Sequence, residues 1–93
     1  MTTALTDLTG RTAIVTGGAT LLAHGVVRAL ADAGANVVVA DIDDEGGAAA
    51  AAIAPSVEFV HTDVTDDAAV AALVAGTVER FGGLDIEIGR AHV

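Results

Sequence analysis

Two short and uninterrupted apolar runs, Thr12–Thr16 and Asn36–Ala40, constrain the fold of this chain more than any other feature. Both are rich in β-branched residues, and neither alternates between apolar and polar side chains. Each run therefore predicts a strand that is buried on both faces. Strands of this kind are typical of parallel sheets whose two faces are covered by helices. Parallel neighbours also need a crossover connection, so the residues between the two runs are expected to form a helix.

The segment Leu21–Ala33, between the two runs, has the helical period that this expectation requires. His24, Arg28 and Asp32 are spaced four residues apart and are predicted to lie on a solvated face. Gly34 follows the segment, where a glycine commonly ends a helix. Its apolar side chains recur at helical spacing and predict one buried face, made of Leu22, Val26, Ala29, Leu30 and Ala33.

The same alternation of strand and helix patterns continues along the rest of the chain. It predicts an acidic loop over Ile42–Gly47, a helix over Ala48–Ala54, a strand over Val57–His61, a helix from a cap at Thr65 or Asp66 to about Phe81, and a fourth strand that begins at Leu84. Strands joined by helical crossovers form a right-handed, doubly wound parallel α/β sheet. The sequence therefore predicts a Rossmann fold that is truncated within its fourth strand, with residues 1–86 forming the N-terminal part of one domain.

The composition excludes several classes of function. The net charge is -9, from 13 acidic residues against 4 basic ones, so neither nucleic acid nor an anionic membrane is an expected partner. The start of the chain does not resemble a secretory signal, and we expect a cytoplasmic protein. Cysteine is absent and no two histidines are spaced for a metal, so no metal site is predicted. Because tyrosine and lysine are also absent, the inventory favours a binding module over a complete enzyme.

The carboxyl ends of the first two strands carry residues that suit a nucleotide, and ligands of such sheets bind at these ends. The turn Thr16–Ala23 joins strand to helix, and its glycines let a pyrophosphate approach the helix N-terminus. Asp41 lies 24 residues after Gly17, near the spacing of about 20 residues expected for a carboxylate that binds the adenosine ribose. A carboxylate there repels a 2′-phosphate, which favours NAD over NADP. A plain turn and a solvated loop aspartate are the structural alternatives.

The end of the third predicted strand offers a further polar group. Asp63, with a backbone amide, is placed to contact an adenine edge at the same rim of the sheet. Helix capping is the alternative role for acidic and hydroxyl residues in this stretch. Capping accounts for Thr65 or Asp66 but not for Asp63.

Together these strand ends resemble the short-chain dehydrogenase/reductase family, over roughly Leu8 to Ile86. The family's turn is T-G-x-x-x-G-x-G. Thr16 and Gly17 match it, whereas Leu21 and Ala23 stand where its second and third glycines belong. The resemblance implies that the cofactor is NAD, with the pyrophosphate facing Gly17, Thr20 and Leu22, the adenosine ribose held by Asp41 and Ile42, and the adenine held by Asp63 and Val64.

The stretch Arg80–Ile86 also matches the family, and its remaining motifs would follow downstream. These are an N-N-A-G strand end, a serine and a Y-x-x-x-K pair, in which the tyrosine is the acid/base. The resemblance implies a parent oxidoreductase, a homo-oligomer, that interconverts a small-molecule alcohol and a carbonyl by hydride transfer. The 93 residues lack its catalytic residues and are expected to be inactive. The alternatives are a non-catalytic nucleotide-binding module or a fragment of another Rossmann enzyme, such as a methyltransferase.

The last residues, 87–93, depart from the strand pattern, because Gly89, Arg90 and His92 do not suit a central parallel strand. One back-translation of Ile88–Val93 is ATC GGA AGA GCA CAC GTC, which resembles a widely used short-read sequencing adapter. We therefore interpret residues 87–93 as a non-native tail translated from adapter sequence. A genuine variant tail is the alternative.

Overall fold

The computed structural model describes residues 7–89 of the chain. Its elements, in chain order, are β1 (Thr12–Thr16), α1 (Leu21–Asp32), β2 (Asn36–Asp41), α2 (Asp44–Ala51), β3 (Val57–His61), α3 (Asp67–Phe81) and β4 (Ile86–Ile88). The strands form one parallel sheet in the order β3-β2-β1-β4. The predicted doubly wound α/β fold is therefore confirmed. None of the helices in the described range has the length and hydropathy needed to cross a membrane.

Both faces of the sheet are covered, as the uninterrupted apolar runs predict. On one face, Val15, Val37 and Val39 pack in a cluster with Val27 of α1 and Ala50 of α2. The opposite cluster, under α3, contains Ile14, Val38, Ala40 and Leu73. Successive strand residues point to opposite faces, so β1 and β2 each contribute to both clusters. The polar residues of β1 and β2 are confined to the ends of these two strands, where a site can form.

The buried face of α1 is rotated around the helix by about one residue from the face that the sequence predicts. Leu22 and Val26 were expected inside, yet Leu22 is 87% exposed and Val26 is 37% exposed. His24 is half-buried rather than solvated, and its Nε2 is buried without a hydrogen-bond partner among the described residues. Because apolar residues occupy more than one face of this helix, their spacing alone fits two orientations. The face that packs on the sheet consists of Val27, Leu30 and Ala31.

Helix α2 begins at Asp44, within the segment predicted to be a loop. Asp43 is its N-cap and accepts a hydrogen bond from the Gly46 amide at 3.0 Å. Two glycines lie in this helix because other residues approach them closely. A Cβ on Gly46 would lie 2.7 Å from the Cβ of Ala19, and one on Gly47 would overlap the Phe59 ring. Close packing thus outweighs the low helix propensity of glycine.

The fourth strand begins at Ile86 rather than at Leu84 and continues to Ile88, paired with β1. Asp85, just before it, accepts a hydrogen bond from the Thr12 amide at 2.9 Å and so joins β4 to the start of β1. The first two residues of segment 87–93 therefore belong to a strand, contrary to the interpretation that the strand pattern ends at Ile86. His92 lies outside the described residues. The adapter origin of the segment stays a prediction.

Candidate functional site

The glycine turn between β1 and α1 requires glycine at two successive positions. Gly17 has a φ of +69°, in the left-handed region that favours glycine. Its amide donates to the carbonyl of Ala40 at 2.9 Å, which ties the turn to the end of β2. A Cβ on Gly18 would lie 2.6 Å from Cγ1 of Val39 and 3.2 Å from the carbonyl oxygen of Val15. The turn thus places its backbone directly against the sheet.

The N-terminus of α1 presents free backbone donors beside this turn. Thr20 is the N-cap, and its Oγ1 accepts a hydrogen bond from the Ala23 amide at 3.1 Å. The carbonyl of Thr20 accepts from the His24 amide at 2.9 Å. The amides of Leu21 and Leu22 precede the first intrahelical hydrogen bond, so they point out of the positive end of the helix. These two donors are suited to an anion such as a pyrophosphate.

Leu21 occupies the position of the family's second glycine without strain. None of the non-glycine residues between 7 and 89 has a positive φ, so Leu21 does not need the conformation that favours glycine. Its side chain is 88% exposed. The Leu21 side chain therefore points into solvent.

A cavity of about 410 Å³ opens at the edge of the sheet formed by the carboxyl ends of the strands. We call this edge the rim. The volume lies within the range of about 300–1,000 Å³ typical of small-ligand sites. The cavity brings together three residues predicted for cofactor binding, from the turn, the start of α1 and the segment after β3. Its lining consists of Thr16, Gly17, Thr20, Val64 and Gly89. The structure thus places parts of the predicted pyrophosphate and adenine regions around one opening.

Asp41, the last residue of β2, joins the glycine turn to the start of α2. Its Oδ2 accepts a hydrogen bond from the Ala19 amide at 3.2 Å, and its Oδ1 accepts one from the Asp43 amide at 3.0 Å. Asp41 is half-buried, and Ile42, which follows it, is exposed. A carboxylate offers about four lone-pair sites, so Asp41 retains acceptors for ribose hydroxyls while it holds the turn.

Asp63 organises the segment that follows β3. Its Oδ1 accepts hydrogen bonds from the Thr65 amide at 2.9 Å and from the Thr65 hydroxyl at 2.6 Å. The hydroxyl hydrogen bond, followed by the backbone one, lowers the pKa of Asp63 below its ordinary value. Capping of α3 is performed by Asp66, which accepts from the amides of Ala68 and Ala69. Asp63 therefore remains at the rim without a capping role.

The structure also reveals a side-chain hydrogen bond at this end of the sheet that the sequence did not predict. His61 Nδ1 lies 2.7 Å from Oδ1 of Asp44 and joins the end of β3 to the first turn of α2. His61 is also the register partner of Asp41 in the neighbouring strand. The signal that could have revealed the pair is the start of α2. A helix that begins at Asp44 rather than Ala48 brings this carboxylate to the rim.

The arginines within residues 7–89 lie away from the acidic residues of the rim, which are Asp41, Asp44 and Asp63. Arg11 pairs with Asp85 before β1, and Arg80 pairs with Glu58 at 2.8 Å between α3 and β3. Arg28 lies in the second half of α1. Residues 7–89 therefore supply no arginine for a 2′-phosphate at the rim. Nor does this part of the chain contain three or more His, Cys, Asp or Glu residues grouped to hold a metal ion.

A parallel sheet with a glycine turn, a free helix N-terminus and a strand-end carboxylate defines a nucleotide-binding protein of the Rossmann class. Comparison with known proteins narrows this class. Residues 8–91 match a family model described as Enoyl-(Acyl carrier protein) reductase. This chain belongs to the short-chain dehydrogenase/reductase family.

Several similar proteins are dehydrogenases or reductases by name. This chain is 45% identical over 90 residues to a 2,5-dichloro-2,5-cyclohexadiene-1,4-diol dehydrogenase of Sphingobium indicum, an alignment that covers 96% of this chain and 36% of that protein. It is 42% identical over 87 residues to (+)-borneol dehydrogenase 1 of Salvia officinalis, covering 92% and 34%. A solved 3-ketoacyl-(acyl-carrier-protein) reductase from Brucella melitensis, complexed with NADH, superposes with a TM-score of 0.81 at 32% identity, covering 87% and 34%. The chain thus spans about a third of these relatives' length.

Proposed function

We propose that this chain forms the adenosine-binding part of an NAD-dependent short-chain oxidoreductase. The full-length enzyme interconverts a small-molecule alcohol and a carbonyl, and the nicotinamide, when bound, accepts or supplies the hydride. The relatives' names and the NADH complex of the Brucella reductase support this proposal. The residues proposed to contact the cofactor are Gly17, Thr20 and Leu22 at the pyrophosphate, Asp41 and Ile42 at the ribose, and Asp63 and Val64 at the adenine.

The preference for NAD rests on the Asp41 carboxylate. Two backbone amides hold it at the end of β2, beside the glycine turn. Ribose hydroxyls donate hydrogen bonds to such a group, whereas a 2′-phosphate carries negative charge toward it. No arginine among residues 7–89 lies at the rim to offset that repulsion. The fixed carboxylate is the single observation that carries the proposal.

We further propose that the 93 residues bind the nucleotide but do not transfer hydride, because they contain neither tyrosine nor lysine. Oligomeric assembly and a cytoplasmic location are likewise proposed for the parent enzyme. Both are properties of the whole protein. This chain aligns with about a third of the length of its relatives.

Calorimetric titration of this chain with NAD⁺ and NADP⁺ tests the proposal. We expect tighter binding of NAD⁺, and we expect Asp41→Arg to reverse the preference. Asp32→Arg makes the same change of charge in the last turn of α1 and serves as the matched control. That variant should keep the preference for NAD⁺. Equal binding of both nucleotides before and after Asp41→Arg would show that Asp41 does not contact the ribose.

A further inference from the structure

The start of α2 lies against the glycine turn, and Gly46 is the residue of α2 at which the two elements meet. A Cβ built on Gly46 would lie 2.7 Å from the Cβ of Ala19 and 2.8 Å from the Ala19 carbonyl oxygen. Both of these atoms are fixed to the backbone of the turn, so no side-chain rotation can relieve the contact. Glycine at position 46 therefore allows α2 to approach the turn this closely.

Hydrogen bonds through Asp41 connect the same two elements. The Gly46 amide donates to Oδ1 of Asp43 at 3.0 Å, and the Asp43 amide donates to Oδ1 of Asp41 at 3.0 Å. Oδ2 of Asp41 accepts a hydrogen bond from the Ala19 amide at 3.2 Å. The direct contact of Gly46 with Ala19 closes this circuit. The start of α2, the turn and the carboxylate proposed for the ribose therefore constrain one another.

We propose that Gly46 is a positioning residue for the turn that receives the pyrophosphate. It acts through Ala19 rather than by contact with the nucleotide. With a methyl group at position 46, ordinary van der Waals spacing requires α2 and the turn to separate by roughly half an ångström. The hydrogen bond between Ala19 and Asp41 is the longest in the circuit, so it is the one most easily lost. This inference rests on the proposed function and extends it to a residue outside the predicted site.

The displacement reaches the proposed anion donors through the backbone of the turn. Ala19 is followed directly by Thr20, the N-cap of α1. The orientation of this cap fixes the free amides of Leu21 and Leu22. Misalignment of one hydrogen bond to a charged group weakens binding about tenfold. Adenosine lacks the pyrophosphate, and Asp41 retains its hydrogen bond from the N-cap of α2, so adenosine should bind nearly as before.

Calorimetry with ADP and adenosine, together with amide hydrogen exchange measured by NMR without nucleotide, tests the proposal on this chain. We expect Gly46→Ala to weaken binding of ADP about tenfold and to leave binding of adenosine within about twofold. We also expect the Ala19 amide to exchange faster relative to the amide of Gly17, which donates to the Ala40 carbonyl. A general loss of stability would instead speed both amides, and weaken both ligands, by the same factor.

Two further variants separate this contact from other effects on α2. Gly47→Ala makes the same substitution at the next residue, but the three atoms nearest to its Cβ all belong to Phe59. It should change binding of ADP and adenosine by equal factors. Ala19→Gly removes one of the two obstructing atoms, so adding Gly46→Ala should weaken ADP binding less in that background than in the wild type.

Unchanged or equally weakened binding of ADP and adenosine in Gly46→Ala would overturn the role of Gly46 and leave the proposed function intact. An unchanged ratio of the Ala19 and Gly17 exchange rates would do the same. Failure of the wild type to bind either ligand would overturn the proposed function, and the role of Gly46 with it.

Discussion

Gly47 in α2 offers a sharp test of the packing that positions α2 beside the candidate site. A Cβ built there would lie 2.5 Å from Cζ of Phe59 and closer still to two other ring atoms. Ordinary contact begins near 3.4 Å, so the ring must retreat by roughly 1 Å. Overpacking of this kind costs about 1–3 kcal/mol, while replacing glycine in a helix contributes about 1 kcal/mol in return. Gly47→Ala should therefore lower the free energy of unfolding by about 0–2 kcal/mol.

Urea unfolding followed by circular dichroism measures this change, and two comparisons isolate its cause. Gly76→Ala, in α3, places a Cβ in open space and should raise the free energy of unfolding by about 0.5–1 kcal/mol. Phe59→Ala removes the obstructing ring, so Gly47→Ala should become stabilising in that background. If Gly47→Ala stabilises the wild type as much as Gly76→Ala does, the steric argument is wrong.

Three further predictions concern the sheet ends and the tail. Because hydrogen bonds from Thr65 hold the pKa of Asp63 below its ordinary 3.8, the stability they supply is complete above that value and is lost as the pH falls through the lower, folded-state pKa. Thr65→Val should return the pKa toward 3.8 in a carboxyl NMR titration, and an unchanged curve would contradict this. Asp85→Ala leaves the buried amide of Thr12 without its side-chain acceptor and should cost about 1–3 kcal/mol in urea unfolding. For residues 87–93, the source DNA should match the adapter; unbroken genomic sequence with other codons would refute this.

Local patterns sufficed to predict most of the secondary structure. Strands β1 and β3 occur at the predicted residues, and α1 starts at the predicted Leu21. The start of α2 was missed because Gly46 and Gly47 disfavour a helix by propensity. Their positions are explained only by Ala19 and Phe59, which approach from distant parts of the chain.

In the candidate site, too, some features were predictable from the sequence and others depend on tertiary packing. Asp41 was singled out from its distance to Gly17 and its place after an apolar run, both of which are properties of the sequence. Its hydrogen bonds to Ala19 and Asp43 were not predictable, because they depend on how closely α2 and the glycine turn approach β2. The missed pair of His61 and Asp44 has the same origin, since its partners lie 17 residues apart on different elements.

The sequence by itself determined the order of strands and helices, the parallel sheet and the strand ends that carry the candidate site. These follow from local hydrophobic period and turn residues, which act within a few positions of the chain. The tertiary structure decided which face of α1 is buried, because Val27 and Leu22 both suit an apolar contact by pattern alone. It also decided which carboxylates meet a backbone amide or an imidazole at the rim. Such contacts depend on packing between elements, which no local pattern encodes.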